Sequence, residues 1–253
     1  MRVHPHYYNE FDKYAAQWLR NLIAAGHIAP GDVDDRSISD VRPSDLVGYT
    51  QCHFFAGIGG WSLALRLAGW PDDRPVWTGS CPCQPFSVAG QGHGVVDERH
   101  LWPHWFHLVR AVRPPTVFGE QVEAAIAHGW LDLVQDDLEG EGYAFAPVGI
   151  PAAGVGAPHI RQRLWWAASR WRNTDTKRDQ QSRQEPCCGA SRRVGWEQQL
   201  FPWDGGWQQA LTRLRVMDDG IPRCVEATDA ARNAIVPQVA AEVIRAYMEC
   251  RPC

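Results

Sequence analysis

The chain has 253 residues, 45% of them apolar and 21% charged, with a formal net charge of −4. That composition is ordinary for a globular protein, long enough to bury a substantial core in one domain plus a small appendage. The negative balance argues against a simple polyanion-binding tail, and no apolar run approaches the roughly 20 residues that cross a bilayer. The N-terminus, Met1-Arg2-Val3-His4-Pro5-His6, has no apolar signal core. We therefore expect an unexported, cytoplasmic protein whose eight cysteines are reduced thiols.

In chain order, Phe11, Tyr14, Ala15, Trp18, Leu19, Leu22 and Ile23 follow helical spacing up to Gly26. Five aspartates between Asp32 and Asp45 then suggest a solvated connection. Residues 1–50 thus read as an N-terminal helical appendage. A strand follows from Gln51 to Phe55, a turn over Ala56-Gly57-Ile58-Gly59-Gly60, and a helix from Trp61 to Ala68. Strand, glycine turn and helix open a nucleotide-type α/β unit, in which backbone N–H groups face a ligand. The spacing Gly-x-Gly-Gly is not the dinucleotide pattern, so alone it is weak.

The β-prone run Pro75-Val76-Trp77 enters Thr78-Gly79-Ser80-Cys81-Pro82-Cys83-Gln84-Pro85-Phe86-Ser87. Pro82 and Pro85 cannot join a ladder, so the strand must stop in a stiff loop that presents Cys83. That thiol is either a nucleophile at a sheet edge or a structural cysteine in a turn. The glycines of 89–94 suggest a segment able to close over a substrate. In the next helix, about 98–112, His100, His104 and His107 read as a packed face rather than a metal site. Pro114 to Phe118 is a strand ending at Gly119-Glu120-Gln121-Val122, where a carboxylate would face a ligand.

A helix over 123–138 and a strand over 143–148 continue the alternation. Arg161 and Arg163 precede the apolar run 164–168, and alternation on a strand would put both on one side, toward an anion, a polarised carbonyl or solvent. Between Arg161 and Arg193 lie nine basic and three acidic residues, and 23 of the 25 basic residues of the chain are arginine. Arginine suits bidentate contact to phosphates and base edges. Residues 170–215 lack periodicity and carry Trp196, Trp203 and Trp207, as an inserted recognition lobe would. A helix over 229–247 closes the pattern. Cys187-Cys188 and the pair Cys250 and Cys253 lack zinc spacing, and no metal site is expected.

Taken together, these residues resemble the DNA (cytosine-5) methyltransferase family. Phe55 to Gly60 resembles its S-adenosylmethionine loop, and Pro82-Cys83-Gln84-Pro85-Phe86-Ser87 its catalytic loop. Glu120-Gln121-Val122 resembles the Glu-Asn-Val motif, Arg161-Gln162-Arg163 the Arg-x-Arg motif, and Asn233-Ala234-Ile235-Val236-Pro237 the C-terminal motif. The five occur in the family's order. The resemblance implies a Rossmann-like α/β sheet over 51–169 and 216–249, with 170–215 as the target-recognition lobe.

It implies Cys83, Glu120, Arg161 and Arg163 as catalytic residues. Phe55, Ala56, Gly57, Ile58, Gly59, Gly60, Ser80, Pro82, Asn233, Ala234 and Ile235 would bind S-adenosylmethionine. Gln84, Ser87, Gly90, Arg170, Arg172 and Arg178 would touch double-stranded DNA. The implied reaction is methyl transfer to C5 of a flipped-out cytosine through a covalent adduct of Cys83 at C6, in a bacterial or phage-type modification system, with a non-catalytic DNA-binding relative as the alternative from another class.

Two departures stand out. In the family, two strands bearing acids for ribose and adenine separate the glycine loop from the catalytic loop. Here only Trp70 to Ser80 separates Gly69 from Cys81, too short for units of about 30 residues. The sheet is therefore expected to lack two edge strands, with Asp72 and Asp73 as the nearest acids. A reduced pocket helped by the N-terminal helix, a different one-carbon or group donor, or a partner chain completing the pocket would each accommodate this. Otherwise the chain is expected to be a monomer or weak dimer. Gln121 stands for the motif's Asn, and Pro158-His159 for its usual Pro-Gln.

Overall fold

The computed structural model describes residues 6–82, 101–123, 126, 129–157, 160–170 and 234–250. Strand β1 is His6–Asn9, helix α1 Lys13–Ala24, β2 Gly31–Asp34, β3 Gln51–Phe54, α2 Gly60–Ala68 and β4 Val76–Gly79. Then come α3 Trp102–Val112, β5 Thr116–Val122, α4 Trp130–Gly140, β6 Tyr143–Pro151, β7 Gln162–Arg170 and α5 Pro237–Cys250. The seven strands form one sheet in the order β2-β1-β3-β4-β5-β7-β6. The first five run parallel, and β7 is antiparallel to both β5 and β6.

The α/β sheet expected from the alternation is therefore present, but residues 1–50 are not an appendage. They contribute β1 and β2, and the two strands missing after the glycine loop stand ahead of it instead. Tyr8 pairs with His53 and Asn9 with Phe54, which welds β1 to the strand of the glycine loop. All four residues of β1 are buried. Sheet topology explains the misreading: a strand covered on both faces shows no polar alternation, and His-Tyr-Tyr-Asn is too short to show a period.

Side chains secure that seam. The Tyr8 hydroxyl donates to Ala29 O at 2.8 Å and lies 2.9 Å from Ser62 Oγ on α2. Tyr8 stacks on His53, whose Nδ1 is 2.7 Å from Thr78 Oγ1 on β4. Asp12 caps α1 by accepting from Ala15 N, and the helix buries Ala15, Ala16 and Leu19. Its more aromatic side, Phe11, Tyr14 and Trp18, is exposed.

Trp165 and Trp166 divide the core between the two faces of the sheet. Trp166 joins Phe54, Trp102, Trp105, Val134 and Leu138 beneath α3 and α4. Trp165 joins Trp61, Leu65, Phe118, Val239 and Ile244 beneath α2 and α5. Consecutive strand residues point to opposite faces, so the pair serves both cores. In α3 the tryptophans face inward while His104 and His107 are exposed, which corrects the packed histidine face. Helix α4 starts only at Trp130, after Gly129 with φ 68°. Helix α5 starts at Pro237, a first-turn position that needs no N–H donor. The recognition lobe lies outside the described residues beyond Arg170. No helix among the described residues is long and apolar enough to cross a membrane.

Gly119 makes room for the site. It faces Trp166 across β5 and β7, and a Cβ there would lie 2.1 Å from the indole. Gly119→Ala is therefore expected to destabilise the fold by about 3 kcal/mol, the upper range for overpacking a filled core. Chemical denaturation measures this, and a cost within noise of zero would contradict the packing described.

Candidate active site

Parallel strands deliver their following loops to one edge, so β1, β3, β4 and β5 bring Glu10, the glycine loop, Ser80 and Glu120 together there. Strand β7 runs the other way, and its beginning reaches the same edge: Arg163 pairs with Val122. From β1 the chain first moves outward to β2, then returns to β3 and proceeds through β4 to β5. The point where this order reverses lies between β1 and β3, and open α/β sheets bind ligands in such a crevice.

Backbone geometry shapes the crevice. Phe55, Gly57 and Gly59 have φ of 50°, 54° and 80°, and Gly59 caps α2 in the left-handed conformation. A Cβ on Gly60 would lie 2.6 Å from Ile235, which brings the segment before α5 against the loop. Gly57 N donates to Glu10 Oε2 at 2.7 Å, and Asp12 N donates to Oε1 at 2.9 Å. Burial raises the Glu10 pKa, against those two hydrogen bonds. Glu10 was missed in the sequence because the expected acid was sought after the glycine loop. Its signal was an acid two residues before a capped helix, next to no recognisable strand. Asp34 at the end of β2 is tied to Tyr7 and Arg36.

Glu120 is buried, and Arg163 Nε pairs with its Oε1 at 2.9 Å. Its pKa is raised by burial, opposed by Arg163, a hydrogen bond from Ser80 and the charge of Arg161. Arg161 does not share the strand with Arg163. It precedes β7 at φ 37°, and its guanidinium donates to Ala234 O at 2.7 Å. Both arginines nevertheless act on Glu120. Burial and Arg163 lower the pKa of Arg161.

Gln121 Nε2 donates to Cys81 O at 2.8 Å, while Val122 N donates to Gln121 Oε1. The longer side chain that replaces Asn thus clamps the base of the Cys83 loop. Trp61 Nε1 donates to Ser80 Oγ at 3.1 Å.

Of the expected site residues, Phe55 to Gly60, Ser80, Glu120, Arg161, Arg163, Ala234 and Ile235 assemble at this edge, and Pro82 follows Cys81 there, exposed. Cys83, Gln84, Ser87, Gly90, Arg172, Arg178 and Asn233 lie outside the described residues. Arg170 is not brought to the site. It ends β7 at the far edge, roughly 24 Å from Arg163 at strand rise, and donates to Arg113 O. Asp72 likewise lies away from the glycine loop, paired with Arg66 near the start of β4. Among the described residues no three His, Cys, Asp or Glu side chains group as metal ligands.

The family model for C-5 cytosine-specific DNA methylase matches residues 71–187. Type II methyltransferase M.AluI of Cellulosimicrobium cellulans is 28% identical over 116 residues, 42% of this chain and 22% of that protein. Type II methyltransferase M.HhaI of Haemophilus parahaemolyticus is 25% identical over 165 residues, half of each chain. The chain thus spans half or less of the length of these relatives. A crystal structure of a Spodoptera frugiperda DNMT2 variant superposes with a TM-score of 0.47 at 16% identity, covering 68% of this chain and 45% of that one. The matched segment contains Ser80, Glu120, Arg161 and Arg163, four residues that the fold brings to one edge, and it is this segment that is similar to the C-5 cytosine-specific DNA methylase family.

Proposed function

We propose that the chain transfers a methyl group from S-adenosylmethionine to C5 of a cytosine flipped out of duplex DNA, through an adduct of Cys83 at C6. The observation that carries this reading is the buried Glu120–Arg163 pair, on the same sheet edge as the glycine loop. A neutral cytosine offers an acceptor at N3 and a donor at its exocyclic amine. A protonated carboxyl group matches both at once, and the burial that raises the Glu120 pKa favours that form.

C5 of cytosine is a poor nucleophile. Addition of the Cys83 thiolate to C6 turns the ring into an enamine whose C5 can attack an electrophile. Negative charge then develops along N3 and O2, where Glu120 and the arginines stabilise it. Loss of the C5 proton to a base and expulsion of the thiolate complete the cycle. The residues fit S-adenosylmethionine: Glu10 offers a carboxylate to ribose hydroxyls beside the glycine loop, and Phe55 to Gly60 with Ile235 would line its cleft. When bound it supplies the electrophilic methyl group. Since β1 and β2 come from this chain, its own described residues supply an acid beside the glycine loop for the cofactor cleft. Residues 170–215 would carry phosphate contacts for affinity and a few side chains that read bases.

Two experiments test the reading. DNA containing 5-fluorocytosine is expected to trap the wild-type chain as a denaturation-resistant adduct when S-adenosylmethionine is present, and to leave Cys83→Ser bound but uncoupled. Methylated product from Cys83→Ser would overturn the assignment of the nucleophile. In calorimetry, Glu10→Gln is expected to weaken S-adenosylmethionine binding by about 10- to 100-fold, the worth of a hydrogen bond to a charged group. Because the Glu10 pKa is raised, protons reach it above the ordinary carboxylate range. Affinity in the wild type should therefore fall as pH drops through that range, and the acid-side fall should flatten in Glu10→Gln. Unchanged affinity in the variant would remove Glu10 from the cofactor site.

A further inference from the structure

Ser80 was expected only to line the cofactor cleft, but its side chain is turned to another task. Its Oγ receives the Trp61 indole N–H at 3.1 Å, and its own hydroxyl proton goes to the Glu120 carboxyl group. An indole N–H donates only and occupies one of the two acceptor positions of the hydroxyl, which leaves the hydroxyl proton available to the ionised Glu120 carboxylate.

Trp61 is itself fixed. It is 2% exposed, meets Trp165 edge-on at 5.6 Å and stacks near Phe118 at 6.3 Å. Phe118 lies two residues before Glu120 on β5, and Trp165 two residues after Arg163 on β7, so each shares a sheet face with its charged neighbour. Trp61 also directly follows Gly60 on α2, the helix that the glycine loop opens. One rigid ring is therefore in register with both halves of the site.

Resting on the methyltransferase reading above, we propose that Ser80 is a positioning residue for Glu120. With Trp61 it forms a one-way relay, indole N–H to hydroxyl to carboxyl, that fixes the rotation of the carboxyl group and ties the base-recognising acid to the helix of the cofactor loop. Among the described residues, the groups facing Glu120 are then Arg163 from β7, Arg161 from the turn before it, and Ser80 from the end of β4. Arg163 holds the group by charge. Ser80 adds a directed hydrogen bond, so that the carboxyl group meets the pyrimidine edge in one orientation.

The test uses the full chain with 15N-labelled indoles, in which the signal lost from Trp61→Phe identifies Trp61. That signal is expected to move as pH is swept through the Glu120 transition, and to stay still in Glu120→Gln and in Ser80→Ala. In methylation assays Ser80→Ala is expected to lose about tenfold in kcat, the worth of one hydrogen bond to a charged group, with KM for S-adenosylmethionine unchanged. Loss of a donor to the carboxylate disfavours its charged form, so the pH limb belonging to Glu120 should move to higher pH, and Ser80→Thr should restore it. Should Ser80→Ala not fold, Trp61→Phe reads the same limb in the same direction. The relay is refuted if the Trp61 signal titrates equally without the Ser80 hydroxyl, or if the loss falls on KM for S-adenosylmethionine alone. If no variant and no wild type methylates DNA, the methyltransferase reading fails while the spectra still decide the relay.

Discussion

The hydrogen bond from Gly57 N to Glu10 Oε2 is the contact on which the proposed cofactor cleft depends. It joins two stretches 47 residues apart, one from the first strand of the chain and one from the glycine loop of the third. Its geometry exists only because β1 lies beside β3 in the sheet, closed by the Tyr8–Ser62 and His53–Thr78 contacts. A glycine at position 57 can hold its positive φ without strain and point its N–H at the carboxylate. Without β1, the edge of β3 would be open and the loop would face solvent.

The chain order of this sheet differs from the order that the motifs resembling that family imply, but the spatial arrangement meets the same physical need. A cofactor with ribose hydroxyls requires an acceptor beside the loop that turns around it. Whether that acceptor comes from a strand after the loop or before it does not affect the electrostatics, since the neighbours in a parallel sheet are set by pairing and not by sequence. Moving β1 and β2 ahead of β3 places the reversal of strand order between β1 and β3, next to the same loop. At the other end of the cleft, Glu120 and Arg163 depend on each other. Leaving either partner of a buried ion pair alone costs about 3–5 kcal/mol, so the acid proposed to recognise the base is also held in place by the arginine proposed to assist it.

What the sequence disclosed was local. The glycine turn at 56–60, the strand ending at Glu120 and the arginines at 161 and 163 each occupy a few consecutive residues whose types constrain their own backbone. The two tryptophans 165 and 166 could be read as core for the same reason. Glu10 could not, because its partner is a neighbour in space alone, and β1 carries no alternation by which to recognise it. Arg161 illustrates a smaller failure. Alternation assumed that 161–163 lay on one strand, but the strand begins at Gln162, and Arg161 turns at φ 37° to reach Ala234. The relay through Ser80 was hidden too, since its three members come from α2, β4 and β5.

The central claim is that the first strand of the chain and the glycine loop form one cofactor cleft. Hydrogen–deuterium exchange with and without S-adenosylmethionine tests it directly. The account predicts that the cofactor slows exchange in two separate stretches together, residues 8–12 and residues 55–60. Protection confined to the glycine loop, with 8–12 unchanged, would contradict it.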